Sequence, residues 1–164
     1  MSSRMGVVQE FIEQSAYAIS FSGVEAGTDE FNNIWRGTAS NYPEEFRIAQ
    51  HDYIKKTHYD VQIRSVLSRI GFPIHNKSAA LNDLVWSTSV QFGPRSRLIE
   101  KAIKNLDISS ASIIEIIGAV QDYKISNNAS LFASSPSLQS GLLARAKDEK
   151  RRLLELEKAD YEVE

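Results

Sequence analysis

Residues 78–94 read SAALNDLVWSTSVQFGP, and this stretch decides the fold. Leu81, Leu84, Val85, Thr88 and Phe92 recur at helical intervals and would face a core. Asp83, Ser87 and Gln91 repeat every four residues and share a second face. Trp86 stands between the two lines. The periodicity leaves two readings open. In one, the polar line of a core helix faces water. In the other, small hydroxyls, an amide and an indole form the wall of a cleft for a polar, ring-shaped ligand. A sugar is such a ligand: its flat face stacks on an aromatic, and its hydroxyls need donors and acceptors.

Helical patterns continue on both sides, with no strand alternation. Met5, Val8, Ile12, Ser15 and Ile19 predict a first helix. Thr28 or Asp29 caps a second, with apolar face Phe31, Ile34, Trp35 and Thr38. Tyr42-Pro43-Glu44-Glu45 starts a third, with proline at its first position and acids where the helix dipole favours them. Phe46, Ala49, Tyr53 and Ile54 form its buried face. Asp60 is a candidate cap for a short fourth helix carrying Val66, Leu67 and Ile70. Gly71 and Pro73 end that helix, as Gly93-Pro94 end the one above. Leu98, Ile99, Ala102, Ile103 and Leu106 form the next face, and Ser110 is the candidate cap for Ile113–Val120. Residues 124–135, rich in Ser and Asn, read as a loop. Ser135-Pro136 opens a long final helix to about Lys158, and the charged end EKADYEVE is expected to fray. The expectation is one all-α domain over residues 1–164, with seven to eight helices.

The bulk numbers agree with a soluble globular chain: 164 residues, 42% hydrophobic and 24% charged. A net charge of −2 gives no general attraction for nucleic acid or an acidic membrane surface. With no cysteine, disulfides, thiolate metal sites and cysteine nucleophiles are excluded. The longest apolar run, Ile113–Val120, is interrupted by Glu115 and too short to span a bilayer. Glu10 and Glu13 break the only apolar stretch near the N-terminus, so no signal peptide is read there. The chain is expected to be cytoplasmic as synthesised, with separate delivery needed for any action at the periplasm or cell wall.

Candidate chemistry is sparse. His51 and His58 are seven residues apart, and Thr57-His58-Tyr59 reads as already leaving the helix, so no metal site is expected. No serine lies in a nucleophile elbow, the glycines form no phosphate loop, and no cofactor is implied. Gln50-His51-Asp52-Tyr53 is a polar–aromatic patch inside a helix; it faces water or serves a site. Glycoside hydrolysis needs two carboxyl groups flanking the scissile bond, one protonated in an apolar pocket. Glu13, Asp52 and Asp83 are the acids with apolar or aromatic neighbours, and they form no such pair in sequence.

Four segments together resemble a family of peptidoglycan-cleaving domains found in phage endolysins and at the C-terminus of type VI secretion spike proteins. They are MGVVQEFI at 5–12, FNNIWRGTASNYPEEFRIAQHDYI at 31–54 with HYD at 58–60, LNDLVWSTSVQFGP at 81–94, and RAKDEKRRLLELE at 145–157. The spacing of Trp86, Ser87, Val90 and Gln91 is the most specific part. The resemblance implies a lysozyme-like fold, similar to the chitosanases, and the β-1,4-linked amino-sugar backbone of the cell wall as substrate. His51, Asp52, Tyr53, Trp86, Ser87 and Gln91 would then line the glycan cleft, with peptidoglycan strands as the partner. No nucleic acid or membrane partner is implied.

The same family carries its catalytic carboxylates upstream, in a glutamate-bearing helix and a glycine-rich turn. No residues here match them, and Phe92 stands where relatives often have histidine. No catalytic residue is therefore assigned. Two readings follow: a glycosidase-like domain lacking its catalytic front, or a non-enzymatic cell-wall-binding or structural protein. A missing front would leave apolar surface uncovered, so self-association, pairing with an N-terminal segment, or modest stability is expected.

Overall fold

Side-chain caps start three of the helices in the computed structural model, which describes residues 4–161. No strand occurs among the described residues; the class is all-α, as expected. Nine α-helices are present in that range, one of them the single turn Asn128–Leu131. None is long and apolar enough to cross a membrane. The chain divides into two compact units, residues 1–56 and 57–164.

The first unit holds α1 (Arg4–Gln14), a 3-10 turn (Ala18–Phe21), α2 (Asp29–Asn41) and α3 (Pro43–Ile54). The Thr28 side chain caps α2 by accepting from the Phe31 N–H at 3.2 Å. Pro43, Glu44 and Glu45 occupy the first turn of α3, as expected. A core this small is built from large rings, which bury the most area per residue. The Phe11 ring centroid lies 5.9 Å from Trp35, 5.9 Å from Phe46 and 5.4 Å from Tyr53. Trp35 and Phe46 meet edge to face at 4.8 Å.

The predicted first helix is too long. Ser15 donates to the Ile12 carbonyl and accepts from the Tyr17 N–H, closing α1 one residue before it. Ile19 then lies 90% exposed in the 3-10 turn, and Phe21 takes the buried place instead.

The backbone leaves α3 through a π-helical turn, Lys55–Tyr59, and enters α4 (Asp60–Ile70). Residues 57–59 therefore do not leave the helix; one extra residue per turn is absorbed without a break. Asp60 is an acid in the first turn of α4 rather than a side-chain cap. The buried line of α4 is Gln62 and Val66, whereas Leu67 and Ile70 are exposed. Val66 keeps its expected place, and Gln62, held by the Ser96 carbonyl, joins it in the buried line. Gly71, at φ +68°, closes α4 in the left-handed conformation, and its N–H bonds the Leu67 carbonyl at 2.9 Å.

The second unit continues with α5 (Ala79–Phe92), α6 (Leu98–Ile103), α7 (Ile113–Ser126), α8 (Asn128–Leu131), a 3-10 turn (Pro136–Leu138) and α9 (Gln139–Tyr161). Ser78 caps α5, accepting from the Leu81 N–H. Leu81, Leu84, Val85 and Thr88 are fully buried, as read from the sequence, with Ile99 of α6 and Ile117 and Val120 of α7 in the same core.

Three local expectations are corrected here. Ser112, not Ser110, caps α7: it forms a capping box with Glu115, while Ser110 and Ser109 bond the Asp107 carboxylate. Residues 124–126 belong to α7 and 128–131 to α8, because Lys124 and Asn128 are buried by packing that composition does not reveal. Ser135 makes no side-chain cap, and Pro136 begins a 3-10 turn before α9. Of the charged end, residues 162–164 lie outside the described residues.

Candidate functional site

The α5–α9 contact opens into a cleft of about 410 Å³. From α5 come Asp83, Trp86 and Ser87; from α9 come Arg145, Glu149, Arg152, Leu153 and Leu156. The spacing explains both walls. Asp83 and Ser87 stand one turn apart on α5, and Arg145, Glu149, Arg152 and Leu156 follow at four, three and four residues along α9.

Trp86 is held from behind. Its ring centroid is 5.7 Å from that of Tyr59, and Tyr59 meets His75 at 5.9 Å, edge to face. The Tyr59 hydroxyl donates to Asn82 Oδ1 at 2.9 Å and lies 3.1 Å from His75 Nδ1. Burial pushes the Tyr59 phenol above its ordinary value, with the Asp60 and Asp83 carboxylates adding to it. The phenol therefore stays a donor, and the indole is half-buried against a fixed backing.

The floor of the cleft is charged. Ser87 Oγ donates to Glu149 Oε1, and Glu149 Oε2 lies 3.5 Å from Lys124 Nζ of α7. The lysine side chain is only 2% exposed and the glutamate 14%. Burial pushes the Lys124 ammonium below its ordinary value; Glu149 opposes that shift and Arg145 adds to it. Arg152 donates to Asp148 at 2.9 Å. Arg145 and Asp83 make no hydrogen bond or ion pair among the described residues.

Of the six residues singled out from sequence, Trp86 and Ser87 line this cleft together. Gln91 lies on the same helix, half-buried, and is not among the lining residues. His51, Asp52 and Tyr53 belong to the first unit. His51 is exposed beside Asp52, 3.3 Å from its carboxylate. Asp52 and Tyr53 line a depression of about 330 Å³ with Gln14, Ser15 and Lys56. Tyr53 donates to Glu10 at 3.3 Å, and burial raises its phenol, with Glu10 contributing. Sequence reading missed Arg145, Glu149 and Lys124; the third fell in the supposed loop. The regular spacing from Arg145 to Leu156 was the available signal.

A family model described as the C-terminal domain of type VI secretion system spike proteins of the VgrG3 type matches residues 1–150. The chain belongs to that family. All of its 164 residues align, at 48% identity, with the type VI secretion system spike protein VgrG3 of Vibrio cholerae serotype O1. The chain spans 16% of that relative's length. The VgrG3-like match runs from α1 into the first half of α9: Trp86, Ser87, Lys124, Arg145 and Glu149 lie inside it, and Arg152, Leu153 and Leu156 lie beyond it.

Proposed function

We propose that this VgrG3-like domain binds the β-1,4-linked amino-sugar strands of peptidoglycan. The observation that carries the reading is Trp86, half-buried, backed by Tyr59 and lining a cleft with Ser87 and three charged side chains of α9. An indole of this kind stacks on a sugar ring, and the hydroxyl and carboxylates around it meet ring hydroxyls and acetamido groups. His51, Asp52 and Tyr53 offer similar polar–aromatic chemistry on the first unit and are proposed as a second glycan contact.

The cleft favours holding the strand over cutting it. A glycosidase needs a protonated carboxyl group in an apolar pocket opposite a second carboxylate. Glu149 is engaged by Lys124 and Ser87, and Asp83 is exposed. The chain is therefore a glycosidase-like domain whose described residues supply binding.

Incubation with purified peptidoglycan, followed by turbidity and co-sedimentation, tests this. Pelleting without clearing is the expected result. Clearing by this chain would overturn the binding-only assignment, and failure to pellet would remove the glycan reading altogether.

A further inference from the structure

We propose that the α5–α9 cleft recognises a carboxylate on its ligand through Arg145. The inference rests on the glycan reading above and adds the charged group to it. Its basis is an unusual division of charges on α9. Glu149 lies four residues after Arg145, the spacing at which an acid and a base on one helix ordinarily pair. Here Glu149 is taken by two side chains from other helices, Ser87 of α5 and the buried Lys124 of α7. Burying a lysine is unfavourable unless its charge is met, and that need claims the carboxylate. The other two arginines of α9 have acidic partners: Arg151 pairs with Asp148 and Glu155, and Arg152 with Asp148. Arg145 is left with no hydrogen bond or ion pair among the described residues, and it lines the cleft beside Trp86.

A planar guanidinium with its donors unused fits a carboxylate in bidentate geometry. The indole takes the apolar face of the adjoining ring. Asp83, also without a partner among the described residues, accepts from a hydroxyl or an acetamido N–H elsewhere on the same ligand. In a peptidoglycan strand, the carboxylate comes from the lactyl ether of the muramic sugar or from the attached peptide.

Binding of the full chain to four ligands separates these cases: a neutral N-acetylglucosamine oligomer, strands stripped of peptide, intact strands, and stripped strands with their carboxyl groups amidated. Stripped strands are expected to bind about tenfold more tightly than the neutral oligomer, and amidation to remove the gain. Arg145→Gln should remove the difference in affinity between stripped strands and the neutral oligomer. If only intact strands show the gain, the peptide supplies the carboxylate. Equal binding of neutral, amidated and acidic strands overturns the carboxylate inference and leaves glycan binding standing. Binding of none of the four overturns the glycan reading itself. Because the ligand series uses the unaltered protein, the result does not depend on how the variant folds.

Discussion

Lys124 of α7 and Glu149 of α9 form an ion pair at 3.5 Å in which the lysine is almost wholly buried and the glutamate retains some contact with water. The asymmetry sets which partner can be lost. Glu149→Gln strands a buried ammonium and should cost about 3 kcal/mol of stability. Lys124→Met removes the buried charge, fills similar space and leaves Glu149 bonded to Ser87; it should cost about 1 kcal/mol or less. Urea unfolding of both variants gives the order, and a larger loss for Lys124→Met would contradict this account of the pair.

The same lysine gives a pH dependence of known sign. Burial lowers its pKa in the folded chain, whereas the unfolded chain keeps the ordinary lysine value. Between those two values the unfolded state binds more protons, so stability rises with pH. The burial penalty is complete below the folded value and disappears above the unfolded one. The stability difference between the parent chain and Lys124→Met should therefore shift in the parent's favour as pH climbs through the lysine range. A flat difference would mean that the ammonium titrates normally.

One tryptophan lies in each unit, Trp35 in the aromatic core of the first and Trp86 at the cleft of the second. Adding peptidoglycan fragments to Trp35→Phe should still change the emission, and most of the change should be lost in Trp86→Phe. Trp86→Ala should weaken binding about tenfold, through loss of the stacking face. Retention of the full spectral response in Trp86→Phe would place the ligand elsewhere.

Neighbouring serines separate two accounts of the start of α7. Ser112→Ala breaks a capping box and should lower stability by about 1 kcal/mol. Ser110→Ala removes only a bond to the exposed Asp107 and should cost a few tenths of that. Thermal or urea melts of the pair decide the matter.

The helix class, the start of α2 at Thr28 or Asp29, the Gly71 stop and the buried line Leu81–Leu84–Val85–Thr88 were legible because each depends on local chemistry or on period. The errors share a cause in packing. On α4, Val66 is buried as expected, but Gln62 joins it in place of Leu67 and Ile70 because a tertiary bond to the Ser96 carbonyl satisfies its amide. Lys124 looked like a loop residue because the carboxylate that allows its burial lies 25 positions later. Within the site, Trp86 and Ser87 could be picked from one helix. Arg145 and Glu149 carried only the weaker signal of their spacing along α9, and the tertiary pairing of Glu149 is what separates them from solvated charges.

The corner between α7 and α9 is clasped by neutral amides. Gln139 donates to the carbonyls of Ala129 and Phe132, and Asn128 donates back to the Gln139 carbonyl. The outer face of α9, by contrast, is laced with exposed acid–base pairs. Brine should therefore act unevenly on one and the same rod: counter-ions weaken the small contribution of its outer pairs, while the amide clasp at its root keeps its strength.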